Sequence, residues 1–365
     1  MVGFLVVFLL LCIAIVYYIG WSLRRWLSPA ARKPFGIVYA IVTAVVIASF
    51  VLARITGTVM LHAIGAYGMT VFYLLLLLLP PAQLAVRLLR FSRSRRRRAE
   101  TGAVAATLVF MIALLVYGSY NAYSPVVRTY EISLENPSAS AAGTLNIVMA
   151  ADMHFGPLSD KNHAERLVRE INALNPDLVL FPGDIVDDNI RPYLNQGIDR
   201  ILAGIDARYG VYASLGNHDR HNGPIEELID ALERSGMRVL YDETVTVDGR
   251  FTLIGRKDRI DPARGDLSAL MEDVDRSLPV ILLDHQPVEL RKAERLGVDL
   301  MVSGHTHGGQ VFPGNLLTGL LYENHHGHLQ RGDFHSVVTS GFGFWGPPIR
   351  LGTRSELVQI KVTFQ

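Results

Sequence analysis

Apolar and polar positions along this chain follow two different rhythms, and the change falls near residue 128. Before it, four stretches contain no Asp, Glu, Lys or Arg: residues 2–23, 34–53, 55–86 and 101–127. Each supplies the roughly 20 apolar residues that cross a bilayer's hydrocarbon, which predicts four membrane-spanning helices. The third is longer than it needs to be, and Pro80 and Pro81 predict where its helix ends or kinks. Tyr17, Tyr18, Trp21, Trp26, Tyr117, Tyr120 and Tyr123 sit near the ends of the first and fourth stretches, where amphipathic rings favour the headgroup zone. Beyond residue 144 the apolar runs shorten to strand length, at 145–151, 177–181, 211–215, 280–283, 299–303, 336–340 and 357–362. Segments with helical spacing, at 162–174, 224–235 and 287–296, separate several of them. Buried strands alternating with helices predict an α/β domain. The expected organisation is therefore a four-helix transmembrane domain over 1–123, a linker over 124–143, and the α/β domain over 144–365. The linker segment, with Pro125, Pro137 and a Ser/Ala/Gly tract, also reads as an opening strand plus linker. If flexible, it has an r.m.s. reach on the order of 25 Å.

Composition sharpens the division. Half of the 365 residues are hydrophobic and 19% are charged, below the roughly 25% of ordinary soluble domains, which argues against a wholly soluble enzyme and against disorder. The formal net charge of +1 conceals opposite halves: residues 1–128 hold 13 Lys and Arg against one acid, and the rest hold 22 against 33. The basic residues gather in the first inter-span loop (Arg24, Arg25, Arg32, Lys33) and the third (Arg87, Arg90, Arg93 and the run 95–98), whereas the second has only Arg54. By the positive-inside rule, the first and third loops are cytoplasmic and both termini lie outside. The expected location is the cell membrane, multi-pass, with the second domain extracytoplasmic. Because the arginine run lies between two spans, it reads as a topology signal, and no stable nucleic-acid partner is expected. The first span lacks a basic n-region and reads as a retained helix rather than a cleaved signal peptide. His62 lies near the outer end of span three, which favours an interfacial side chain over an intramembrane functional group. Gly65 and Gly68 in that span read as packing residues.

Eleven of the 12 histidines fall in the second half, where Asp is plentiful and the one cysteine, Cys12, is absent. A disulfide scaffold is excluded, and any metal site there uses nitrogen and oxygen ligands. The residues just beyond each strand are informative. After the first comes Asp152-Met-His154, after the second Gly183-Asp184-Ile-Val-Asp187, and after the third Gly216-Asn217-His218-Asp219. Asp284-His285 comes after the fourth and Gly304-His305-Thr306-His307 after the fifth. Five strands thus deliver Asp, His or Asn to one edge of a sheet system, where ligands gather in open α/β sheets. The set suits two adjacent divalent ions, which need a bridging carboxylate, neutral imidazoles and vacant positions for substrate oxygens. Seven protein ligands with Asp184 shared give four to each ion. Side chains at i and i+2 in the Asp-Met-His and His-Thr-His triplets can project towards one region on extended backbone.

In order, DxH, GDxxD, GNHD, a later His after a strand, and GHTH resemble the motifs of the calcineurin-like metallophosphoesterases, over roughly residues 144–365. The longer GHTHGGQ at 304–310, with the C-terminal SGFG and PPIRLG segments, is similar to a branch of bacterial membrane-associated or exported phosphoesterases. The resemblance implies a four-layer α/β/β/α sandwich and two divalent metal ions; Mn, Zn and Fe all suit the donors. It places Asp152, His154, Asp184 and His307 on the first ion, and Asp184, Asn217, His285 and His305 on the second. It also implies in-line attack on phosphorus by a water or hydroxide between the ions. His218, oriented by Asp219, would stabilise the transition state or protonate the leaving group, a role open to a positioned imidazolium.

Other polar residues carry weaker signals. Asp187 reads either as a partner to a metal ligand or as a helix cap. His163 and His221 read as surface residues or as residues behind the ligands. His325, His326 and His328 read as a solvated loop bordering the substrate cleft rather than a third metal site. Gly308, Gly309 and Gln310 are expected to line the pocket through backbone contacts. Arg350 reads either as a partner for substrate phosphate or as an ordinary salt bridge. The expected function is a membrane-anchored dinuclear-metal phosphoesterase. Phosphodiesters are favoured because no extra basic residue within the motifs is dedicated to a dianion, and lipid- or envelope-derived substrates because anchorage raises their encounter. The competing expectations are a non-catalytic scaffold or binding protein that keeps the fold, and a transporter with an accessory hydrolase, which the scarcity of charge within the spans weakens.

Overall fold

The computed structural model describes residues 2–88, 93–134, 143–219 and 224–364. His221, Arg90 and most of the Ser/Ala/Gly tract lie outside the described residues. The chain divides into two compact units, one running to Gly118 and including residues 346–348, the other comprising Ser119–Trp345 and the chain from Ile349 onward.

The first unit holds α1 (Val2–Arg24), α2 (Pro29–Thr56), α3 (Val59–Leu88) and most of α4 (Arg93–Tyr123). Each contains a segment of 19 to 30 residues with the length and hydropathy to cross a membrane. α3 does not end at Pro80-Pro81 but continues through both to Leu88, a continuity that membrane helices tolerate when neighbouring groups re-satisfy the freed carbonyls. The arginine run 95–98 likewise belongs to the first turns of α4 rather than to a loop. Gly65 and Gly68 pack against α2 as expected: a Cβ on Gly68 would lie 2.5 Å from a Val46 methyl, and one on Gly65 3.1 Å from Phe50 Cα.

The second unit contains β1 (Val126–Leu134), β2 (Gly143–Met149), α5 (Lys161–Ala173), β3 (Leu178–Pro182), α6 (Ile190–Asn195), α7 (Ile198–Leu202), β4 (Val211–Ser214), α8 (Ile225–Arg234), β5 (Met237–Val239), β6 (Glu243–Val247), β7 (Phe251–Gly255), α9 (Leu267–Leu270), β8 (Val280–Leu283), α10 (Leu290–Arg295), β9 (Leu300–Ser303), α11 (Gly314–Leu321), β10 (Gly327–Arg331), β11 (Phe334–Val338) and β12 (Glu356–Phe364). They form two six-stranded sheets, in the orders β1-β12-β2-β3-β4-β5 and β10-β11-β9-β8-β7-β6. Strand periodicity explains the layering, because successive side chains point to opposite faces. Leu145, Ile147 and Met149 join Leu178, Leu180, Ile281, Leu283, Leu300 and Val302 in the core between the sheets. Their sequence neighbours Val148, Val179 and Phe181 face outward onto α5, α7 and α8, and Val280, Leu282 and Met301 onto α9 and α10. The result is the four-layer α/β/β/α sandwich.

Two expectations change. The five site-bearing strands do not share one sheet: β2, β3 and β4 end in the first, β8 and β9 in the second. Residues 126–134 are not free linker, because β1 pairs in parallel along the full length of β12. Alternation puts Ile132 and Leu134 into the inter-sheet core, so the opening-strand reading of this segment is the one realised.

Candidate metal centre

The strand ends bring the expected ligand side chains into two groups with donor atoms mutually within 4.8 Å, Asp152, His154 and His307, and Asp184, His285 and His305; a third such group, His154 with Asp187 and His218, shares His154 with the first. Within the first, the Nε2 atoms of His154 and His307 face each other at 3.2 Å, and His307 Nε2 lies 3.5 Å from Asp152 Oδ1. Two imidazole nitrogens bound tetrahedrally to one ion at about 2.0–2.1 Å stand roughly 3.3–3.4 Å apart. Asp184 joins the groups, since its Oδ2 lies 3.1 Å from His285 Nε2 and 3.6 Å from His154 Nε2. Its Oδ1 accepts a 2.8 Å hydrogen bond from the His218 backbone N–H. Asn217 supplies a buried Oδ1 with no hydrogen-bond partner among the described residues, an atom that costs stability unless a ligand engages it.

The backbone is shaped to make this convergence. Asp152, His154, Asp184, His305 and His307 all have φ between 45° and 68°, a region rare for residues with a Cβ and concentrated at functional sites. Gly216 and Gly304 are required by close approach, because a Cβ on either would overlap the carboxylate of Asp184 or Asp152 respectively. The groups behind the donors fix ring orientation. His285 Nδ1 is 2.9 Å from Pro182 O, which fixes the proton there and leaves Nε2 to face the site. His154 Nδ1 lies 3.4 Å from Asp187 Oδ1; of the two readings of Asp187, the partner of a donor residue is the one that matches this contact.

Electrostatics supports cation binding. Asp152, Asp184 and Asp219 are buried to 1% exposure or less, and such charges are costly without partners. Burial pushes Asp152 up to about 6 and Asp219 up to about 7. Burial also opposes ionisation of Asp184, but His285 and His154 outweigh it and hold that carboxyl below its usual range. For His285, burial acts downward while Asp184 and Asp152 drive it up to about 10. Burial lowers His305 to about 4 and His307 well below its ordinary value, leaving both as neutral imidazoles, the ligating form. The donor types, their spacing and the orphaned Asn217 oxygen fit two divalent cations.

The partner of His218 differs from expectation. Its Nδ1 is 2.8 Å from Asp188 Oδ1, not from Asp219. Asp219 is saturated by backbone donors, accepting from Ile185 N and Val186 N at 2.9 Å and Gly216 N at 2.8 Å. It therefore clamps the β3 and β4 end-loops together and leaves ring orientation to Asp188. Burial acts to lower the His218 pKa, but Asp188 and the charges of Asp184 and Asp187 carry it up to about 9.

Arg350 matches neither of its expected roles. It is fully buried and its guanidinium donates to the carbonyls of Ser340 (2.6 Å), Gly343 (2.7 Å) and His307 (3.2 Å), with Nη2 also 3.3 Å from His307 Nδ1. It ties the 340–343 loop to the His307 turn rather than reaching solvent or an acid. His163 is buried against Phe342, with ring centroids 4.6 Å apart. Asp284 points away from the donor groups into ion pairs with Arg256 and Arg264. Three residues escaped the motifs. Asp188 was signalled only by the Asp-Asp doublet after β3, Trp345 has its ring 5.7 Å from His218, and Tyr322 lies edge-on 6.0 Å from His305.

The calcineurin-like phosphoesterase family model matches residues 145–309, a span that includes all seven expected metal ligands. An uncharacterised metallophosphoesterase of Campylobacter jejuni is 32% identical over 263 residues, covering 69% of this chain and 67% of that protein. The chain belongs to the calcineurin-like phosphoesterase family. A relative from Aquifex aeolicus, also an uncharacterised metallophosphoesterase, is 31% identical over 69% of this chain and 98% of its own length. A Danio rerio transmembrane protein with a metallophosphoesterase domain is 33% identical over 297 residues, 75% of this chain and 66% of that protein. In this chain, family membership and four helices long and apolar enough to cross a membrane occur together.

Proposed function

We propose that the second unit hydrolyses phosphoesters, phosphodiesters ahead of monoesters, with one divalent cation held by Asp152, His154, Asp184 and His307 and a second by Asp184, Asn217, His285 and His305. The observation that carries this reading is the pair of donor groups joined at Asp184 Oδ2. When bound, such cations neutralise phosphoryl oxygens and make water a better nucleophile at neutral pH. The chain's own contribution is orientation and proton handling. His285 and His154 are aimed by Pro182 O and Asp187, and Asp219 locks the loops that carry Asp184 and Asn217. His218, held by Asp188 and kept protonated, is the donor to the leaving oxygen. The basic first and third inter-span segments support a catalytic unit outside the cytoplasmic membrane. The intact donor set weighs against a scaffold that merely retains the fold.

The test uses full-length protein in detergent, stripped of metal and restored with Mn, Zn or Fe, assayed on aryl phosphate mono- and diesters. Metal-dependent turnover, faster on the diester, is expected; none under any condition rejects the enzyme. A reporter fused after residue 365 should register outside the cytoplasm.

A further inference from the structure

Resting on the phosphoesterase reading, we propose that α11, with Phe312 ahead of it, is a membrane-docking element on the rim of the metal centre, and that the substrate is a phosphoester carried by a bilayer lipid. α11 buries none of its own residues. Leu320 and Leu321 are 84% and 78% exposed, and Phe312, Leu316 and Leu317 are all more than half exposed. Five of the seven large apolar side chains exposed between residues 143 and 364 lie in this short segment; the other two are Ile260 and Trp345. Residues 308–322 contain no Asp, Glu, Lys, Arg or His, in a half of the chain otherwise dense in charge. A concentrated apolar surface of this kind marks an interaction site.

The occupant is dictated by the rest of the chain. Four helices of the same polypeptide are built to cross a bilayer, so a lipid surface is always tethered to this unit at high effective concentration. Eight helical residues are far too few to span hydrocarbon, but uncharged leucines beside a Phe can enter its boundary. The far end of the helix carries headgroup-zone chemistry: Tyr322, with the exposed cation Arg259 near enough to act on its hydroxyl. The element is also wired to the chemistry. Tyr322 lies against the His305 ring, and Gly309 packs so closely on Gly314 and Asn315 that a Cβ would overlap them. Gln310 exchanges two 2.9 Å hydrogen bonds with Trp345, the neighbour of His218. Entry of α11 into the interface therefore sets the depth at which lipid phosphorus meets the donors.

The experiment reconstitutes full-length protein, with Cys12→Ser and Leu320→Cys carrying an environment-sensitive dye, into phosphatidylcholine/phosphatidylglycerol vesicles containing doxyl lipids; Glu272→Cys is the control. Several-fold stronger lipid quenching at 320 than at 272 is expected. Equal quenching overturns the proposal, as does shielding of 320 from aqueous iodide without lipid quenching, which would assign the patch to a protein partner or a second copy. In parallel, a variant with Leu316, Leu317, Leu320 and Leu321 all changed to Ser should hydrolyse soluble bis(p-nitrophenyl) phosphate at the parent rate. It should lose at least tenfold on vesicle-borne p-nitrophenyl hexadecyl phosphate. Equal effects on both esters, or a parent active only on the soluble one, overturn docking. A parent inactive on both refutes the phosphoesterase reading, while the quenching result still decides the docking.

Discussion

Two histidine clusters in the second unit look alike in sequence and differ in structure. At the strand ends, imidazoles meet buried carboxylates, and the Nε2 atoms of His154 and His307 face one another across 3.2 Å. In the segment from 325 to 335, the rings of His326, His328 and His335 instead have conventional partners. His326 Nε2 lies 3.1 Å from Glu356 Oε1, and His328 and His335 stack with 2.9 Å between Nε2 and Nδ1. The segment meets the GHTH turn through its backbone, where Thr306 Oγ1 donates to His325 O. The candidate metal centre is therefore marked by acids sharing one point with aimed nitrogens, not by the number of histidines. All groups of suitable donors among the described residues lie at the strand ends.

The strongest way to break that contrast is Asp184→Asn. It removes the one carboxylate oxygen shared by both donor groups, so turnover of an aryl diester should fall by about a thousandfold or more, with bound metal falling as well. His326→Ala should leave metal content intact. Elemental analysis of both variants decides, and equal metal loss would erase the distinction. Next comes His218→Ala, which should retain metal and lose about 10²- to 10⁴-fold in turnover, the usual range for a general acid. Asp188→Asn should cost about tenfold and move the alkaline limb of kcat/KM to lower pH. The sign comes from the structure: Asp188 raises the His218 pKa, so without it the ring loses its proton earlier as pH rises. An unmoved limb would detach Asp188 from His218. Asp219→Asn should leave that limb in place and lower thermal stability, because the carboxylate binds loops rather than the ring.

Much of this was legible in the sequence because the site is written in short local words. Asp152-Met-His154 and His305-Thr306-His307 name the candidate donors that the fold brings together, and all seven expected strands are present. What stayed hidden depends on distance or partners. No local pattern reveals that β8 and β9 lie in a different sheet from β2, β3 and β4, since hydrophobic period 2 is the same in both. β5 is three residues long, and β10 has a polar pattern, GHLQR, with no buried residue, so neither offers an apolar run. Asp188 and Asp219 could not be told apart as partners of His218: the nearer in sequence proved to be the backbone clamp. Arg350 was misread because a cation suggests an anion, whereas here a ring of carbonyls accepts its hydrogens.

The smallest expected effect lies on the structural side of the contrast, at Glu356. Burial opposes its ionisation, but His326, the Ser340 N–H and Arg128 outweigh burial and hold the carboxyl down at about 2 from an ordinary 4.5. Its Oε1 also accepts from Thr339 Oγ1 and Ser340 N, at 3.0 and 2.8 Å. A carboxyl depressed by folding contributes stability that is fully present above its unfolded pKa and is lost as pH falls through the folded one. The window is therefore from about 4.5 down to about 2, and at 1.36 kcal/mol per pKa unit the contribution is on the order of 3 kcal/mol. Glu356→Gln should lower the melting temperature at pH 7 by several degrees, at about 2–4 °C per kcal/mol, with no change in bound metal. As pH falls through that window, the gap between parent and variant should close. A gap that stays constant with pH would mean that Glu356 acts by shape alone, and that the second histidine cluster owes nothing to charge.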